Sequence, residues 1–169
     1  MVVNSCAVTS EAVRQTRQTI RRARRAHPDA RLLVTGCAAE VEREMLSSMP
    51  EVDGLISNQR KLDPRSWNVA PVAGPGIPAR YTRAFVTVQN GCDHACTFCV
   101  IPQGRGPGRS RPISDVLRDI AHHLDLGVNE VVLTGVDLTS WGTDLSGAPR
   151  LGSLVAAIMN EFAHLPRLR

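Results

Sequence analysis

Short apolar runs alternate with longer stretches of helical spacing along most of this chain. That alternation restricts the fold to strands laid parallel and covered by helices. In the amino-terminal part the apolar runs are "MVVNSC", "RLLVTGC" and "VDGLIS", separated by "SEAVRQTRQTIRRARRAHPDA" and "AEVEREMLSSMP". The first of these separators predicts a helix capped by Ser10 and ended near Pro28. Further on, "AFVTVQN" and "EVVLTGV" read as strands, and "SDVLRDIAHHLDLG", with Ser114 at its cap, and "LGSLVAAIMNEFAHL" as helices. Between the two series, residues 62–80 hold four prolines and two glycines without periodicity, which reads as a linker. The expected fold is α/β. An open parallel-sheet domain covers residues 1–61, and the first βα units of a partial (β/α) barrel cover 81–169. A βαβ unit takes about thirty residues and a closed barrel at least roughly 200. The chain of 169 residues is therefore expected to be an internal piece of a longer protein.

A hydrophobic content of 43% supports a buried core. No run approaches the roughly eighteen apolar residues of a membrane span, and the amino terminus lacks the features of an export signal. The expected compartment is the cytoplasm, where clustered cysteines bind metal or do chemistry more often than they form disulfides. Five cysteines, an odd number, fit a disulfide framework poorly. The net charge is +4 and Lys61 is the sole lysine, so nearly all positive charge is arginine. Its planar fork of donors suits phosphate, which makes a nucleic acid a plausible partner. A coding bias toward arginine explains the same composition.

Cys6 and Cys37 each follow a predicted strand, and ligand sites in open parallel sheets gather beyond the strands' carboxyl ends. They either share one ligand or are two buried structural cysteines. Cys92, Cys96 and Cys99 stand in "NGCDHACTFCVIP" with the spacing Cys-x3-Cys-x2-Cys. A structural zinc site closes with four protein ligands, and a fourth is missing: His94 inside so short a loop would strain it, and no second cysteine pair follows. Iron–sulfur clusters normally take four cysteines as well. Three thiolates suit a [4Fe–4S] cluster with one iron left open to a small molecule. A zinc module completed by an outside ligand is the alternative.

"CDHACTFC" after a strand resembles the signature of the radical S-adenosylmethionine enzymes. The resemblance implies that Cys92, Cys96 and Cys99 bind the cluster and that its open iron chelates S-adenosylmethionine. It also implies that Phe98 lies near the bound nucleoside; packing beneath the loop is its other possible role. "CTFCVIPQGRGPGRSRP" and "VVNSCAVTSEAVRQTRQ" resemble the methylthiotransferase branch, and "LLVTGCAAE" resembles its next cysteine motif. Cys6 and Cys37 then match two ligands of that branch's second [4Fe–4S] cluster, whose remaining ligand would precede this chain. "EVVLTGVDLTSWGTD" is similar to the subgroup acting on threonylcarbamoyladenosine in tRNA. Sister groups act on isopentenyladenosine in tRNA or on a ribosomal protein. The resemblance implies tRNA and a reducing donor such as flavodoxin or ferredoxin as partners. A fragment without activity of its own is a further possibility.

In the same family, the edge formed by Gly135, Val136 and Asp137 approaches S-adenosylmethionine; otherwise it is an ordinary turn after a strand. Arg105, Arg109 and Arg111 form a basic, glycine-rich stretch that could meet tRNA phosphate, hold a carboxylate or simply be solvated. Arg14, Arg17, Arg21, Arg22, Arg24 and Arg25 load one helix, whose buried stripe is predicted at Val13, Ile20 and Ala23. They read mostly as plain surface.

Overall fold

A computed structural model describes residues 1–61, 63–68 and 81–169. The described residues form two compact units. The first comprises the chain up to residue 68 together with His94–Gly106, and the second comprises residues 81–93 and Pro107–Arg169. Most of the predicted linker, Leu62 and residues 69–80, lies outside the described residues. Pro64–Trp67 forms a short 3-10 turn capped by Asp63.

In the first unit, β1 (Val2–Ser5), β2 (Leu33–Gly36) and β3 (Gly54–Leu55) form a parallel sheet in the order β1-β2-β3. Val2 pairs with Leu33 and Leu33 with Gly54, so the three carboxyl ends lie along one edge. Helix α1 (Ser10–Ala26) crosses between β1 and β2. Its cap is Thr9 rather than the predicted Ser10: the Thr9 hydroxyl accepts the Ala12 N–H at 3.1 Å. His27 closes its carboxyl end, just before Pro28. The predicted stripe holds, with Ile20 fully buried and Val13 and Ala23 packed around a core that includes Leu32, Val34, Ala38 and Leu46.

One arginine of α1 departs from the plain-surface expectation. Arg24 donates through Nη1 to the carbonyls of Pro28 and Ala30, both at 2.8 Å. Through Nη2 it reaches the Glu51 carbonyl at 2.9 Å and the Asp53 carboxylate. Asp53 in turn accepts the Leu32 N–H, and these hydrogen bonds hold its carboxyl below the usual range. Arg24 therefore ties the end of α1 to the starts of β2 and β3. The single helix predicted over "AEVEREMLSSMP" is two short ones, α2 (Cys37–Val41) and α3 (Arg43–Ser47), which meet at Glu42. A third short helix, α4 (Ile101–Arg105), packs against α2.

In the second unit, β4 (Arg83–Thr87) runs almost directly into β5 (Gln89–Asn90), which pairs antiparallel with β6 (Arg109–Ser110). Helix α5 (Ile113–Asp125), strand β7 (Glu130–Thr134), helix α6 (Leu151–Glu161) and strand β8 (Arg167–Leu168) follow. The parallel sheet runs β4-β7-β8, in which each successive strand is reached through a helix, as the alternation predicts. Helix α5 begins at Ile113 with Pro112 at its cap position, so Ser114 lies inside the first turn and does not cap it.

Burial alternates along β4. Ala84 and Val86 face a core shared with Val116, Ile120, Leu154 and Ile158, while Arg83, Phe85 and Thr87 are exposed. The helices therefore cover one face of this sheet. Among the described residues no helix is long and apolar enough to cross a membrane.

Candidate metal centre and its surroundings

All five cysteines are free thiols, and their chemistry matches a metal-binding role. Cys6 lies just beyond β1, and Cys37 is the first residue of α2, directly after β2. Gly36 makes the second placement possible. Its φ is +97°, and a Cβ there would lie 2.2 Å from the Ser5 carbonyl oxygen. The Ser5 hydroxyl donates to the Thr35 carbonyl at 2.6 Å, which locks the two strand ends together.

Cys6 and Cys37 consequently line one cavity of about 250 Å³, with Asn58, Lys61, Val100 and Arg105 among its other walls. The sharing alternative of the sequence is therefore the geometry observed: neither thiol is buried in the core, and Cys6 is exposed. Helix α4 closes the cavity by close approach. A Cβ on Gly104 would lie 2.9 Å from the Cβ of Cys37, and the Gly104 carbonyl accepts Asn58 Nδ2 at 2.7 Å. Two thiols beside Lys61 and Arg105 fit an anionic metal–sulfur group, because thiolate is the ligating form and the cations offset its charge.

The Cys-x3-Cys-x2-Cys stretch has no strand or helix from Gly91 to Val100. In the first unit, Cys96 is exposed and Cys99 half-buried, and the Cys99 N–H donates to the Cys96 carbonyl at 3.1 Å. In the second unit, Cys92 is half-buried just after β5. Three free thiols on irregular backbone are a donor set that fits an iron–sulfur cluster. Phe98 is 91% exposed, so its ring does not pack beneath the loop and is available to a ligand.

Gly135, Val136 and Asp137 follow β7 directly. Their backbone is fixed by a residue that sequence reasoning missed. Gln89 is 2% exposed, and its Oε1 accepts the N–H groups of Val136 at 2.9 Å and Asp137 at 2.8 Å. Its Nε2 donates to the Gly91 carbonyl at 2.9 Å. One amide thus sets both the Val136–Asp137 turn and the backbone immediately before Cys92. The only sequence signal was a polar residue at a buried strand position, within "VTVQNGC".

The structure separates the three arginines that the sequence grouped. Arg105, in α4, lines the Cys6–Cys37 cavity. Arg111 is bound within the second unit. Its Nη1 reaches Asp119 at 2.8 Å and the Thr87 carbonyl at 3.1 Å, and its Nη2 the Asp115 carbonyl at 3.2 Å. Arg109 is exposed in β6. Next to it, Asp144 accepts the Ser110 N–H at 2.9 Å; although burial works against it, its hydrogen bonds to Ser110 and the nearby Arg109 keep its carboxyl below the usual value.

Comparison with known proteins matches both halves of the chain. Residues 1–57 fit the family described as "Uncharacterized protein family UPF0004", and residues 86–161 fit the radical SAM superfamily. The chain is 38% identical to the threonylcarbamoyladenosine tRNA methylthiotransferase MtaB of Rickettsia prowazekii, over 99% of this chain and 44% of that protein. It is 33% identical to the ribosomal protein uS12 methylthiotransferase RimO of Myxococcus xanthus, over 94% of this chain and 38% of that one. It is 31% identical to the tRNA-2-methylthio-N(6)-dimethylallyladenosine synthase of Roseiflexus sp., over 100% of this chain and 38% of that one. The chain spans less than half the length of each of these relatives.

Proposed function

For a chain that belongs to the radical SAM superfamily through residues 86–161, we propose a place in a methylthiotransferase that modifies carbon 2 of N6-threonylcarbamoyladenosine in tRNA. The observation that carries this reading is the shared cavity of Cys6 and Cys37. A radical enzyme that only abstracts hydrogen needs one set of thiols. A sulfur-transferring enzyme needs a second, and this chain has it on a separate strand edge.

Cys92, Cys96 and Cys99 hold one [4Fe–4S] cluster and, being three, leave one iron for S-adenosylmethionine. Cys6 and Cys37 contribute two ligands to a second cluster. When bound, these groups supply the electron that cleaves S-adenosylmethionine and the sulfur that is transferred. The chain's own residues bind and orient. Phe98 offers an exposed ring for the nucleoside face. Gly135, Val136 and Asp137 form the edge against S-adenosylmethionine, on a backbone held by Gln89. Arg105 and Lys61 offset negative charge beside Cys6 and Cys37. Arg109 is the member of the basic stretch with reach to tRNA phosphate, and Arg111 braces the segment that carries it. The tRNA substrate implies a cytoplasmic setting, and the chemistry requires a low-potential donor of the flavodoxin or ferredoxin kind.

The test uses the chain extended to the length of its relatives, reconstituted under anaerobic conditions with reductant and S-adenosylmethionine. Three substrates are offered in parallel: tRNA bearing threonylcarbamoyladenosine, tRNA bearing isopentenyladenosine, and the ribosomal protein. Mass spectrometry should find a methylthio group on the first alone. Product on either of the others reassigns the substrate. Full iron loading with no cleavage of S-adenosylmethionine overturns the enzyme reading.

A further inference from the structure

The first unit has a second concavity that the chemistry above does not use. It has a volume of about 360 Å³, and Arg43, Ser57, Arg60, Arg65 and Ser66 supply its polar wall. Ser57 lies two residues past the end of β3, on the strand edge where ligand sites of open parallel sheets gather.

The charges in this wall do not balance. Glu40 takes Arg43 Nη2 at 3.0 Å, the Asn58 N–H at 2.6 Å and the Ser57 hydroxyl, so its carboxylate is fully engaged and neutralises Arg43 alone. Asp63, the nearest acid in sequence to Arg65, accepts the backbone N–H of Arg65 at 3.0 Å. Neither the Arg60 nor the Arg65 guanidinium has a hydrogen bond or ion pair among the described residues. The Ser66 hydroxyl oxygen is buried and also unpartnered among them. The wall therefore offers two uncompensated planar donor forks and a spare hydroxyl, without an unengaged carboxylate.

We infer that this pocket binds a phosphodiester of an RNA backbone. Paired guanidinium forks match phosphate oxygens in a bidentate manner, and a wall with two uncompensated positive charges repels metal cations. Both arginines are exposed, which suits a group presented on a long polymer. The choice of RNA over a free nucleotide rests on the tRNA reading above; the anion chemistry does not.

The experiment is fluorescence anisotropy of a labelled RNA hairpin with the full chain, repeated across a salt series. Arg60→Gln/Arg65→Gln is compared with Arg22→Gln/Arg25→Gln, which removes equal charge from the exposed face of α1. The pocket variant is expected to bind several-fold more weakly and to lower the slope of log Kd against log salt by about two, one per lost phosphate contact. The α1 variant should change the slope by less than half as much. Equal losses in both variants, or an unchanged slope in the pocket variant, overturn the inference. Displacement of the hairpin by ATP at far lower concentration than by a dinucleotide assigns the pocket to free nucleotides and overturns the RNA assignment. Cleavage of S-adenosylmethionine by the extended, reconstituted protein is read separately. Its absence overturns the enzyme reading, whereas an unchanged salt slope overturns this inference alone.

Discussion

Gln89 Oε1 accepts the N–H of Asp137 at 2.8 Å, joining the end of one strand to the turn that follows another, 48 residues away. The same oxygen takes the Val136 N–H, and Nε2 serves the Gly91 carbonyl. Gln89→Leu leaves these buried groups unpaired. A buried unsatisfied group costs about 1–3 kcal/mol, so urea unfolding should show a loss of at least about 2 kcal/mol. A loss below about 0.5 kcal/mol, the scale of an ordinary surface change, would show that the bridge does not hold the turn.

Arg24 is the interior exception on an arginine-rich helix. Arg24→Lys replaces a fork that reaches three carbonyls and a carboxylate with a single ammonium, and at such sites the two are not interchangeable. The expected cost is about 1–3 kcal/mol by chemical denaturation. Arg22→Ala and Arg25→Ala, on the exposed side of α1, should stay within about 0.5 kcal/mol.

Gly104 is fixed by Cys37. A Cβ at 2.9 Å from the Cys37 Cβ has to push α4 away from α2, and overpacking of this kind costs about 1–3 kcal/mol. Gly104→Ala should lower the melting temperature and speed the labelling of Cys37 by a thiol reagent. Unchanged labelling would mean that the two helices yield without opening the cavity.

Glu40 links stability to pH. Burial opposes its ionisation, but the Asn58 N–H, the Ser57 hydroxyl and Arg43 together keep its carboxyl below the ordinary glutamate value. A depressed folded-state value contributes stability that is present above the unfolded value and lost as pH falls through the folded one. Denaturation midpoints should therefore drop on acidification below the usual glutamate range, about 4.3. Glu40→Gln should flatten part of that slope. An identical slope in the variant would remove Glu40 from the account.

The alternation of apolar runs and helical stretches was enough to give both parallel sheets, because a strand buried on its helix side and a helix with one apolar stripe each leave a local pattern. The Cys-x3-Cys-x2-Cys motif was legible for the same reason: all its ligands lie in one short segment. What the sequence hid depends on distant partners. Gln89 looked like any polar residue in a strand, and its partners Val136 and Asp137 lie across the sheet. Arg24 and Arg111 looked solvated, because nothing local shows which carbonyls a guanidinium will meet. Helix α4 was obscured by Pro102 and Gly104, residues that ordinarily argue against a helix. Pro102 sits in its first turn, where its ring is tolerated, and Gly104 is there to let Cys37 approach.

The measurement that bears most directly on the central claim is the iron content of the chain after anaerobic reconstitution with iron and sulfide, with Cys92→Ala alongside. The account predicts a brown protein that loses about four irons per chain, one [4Fe–4S] complement, when Cys92 is removed. A colourless protein holding a single zinc, or a variant that keeps all the wild-type iron, would contradict it.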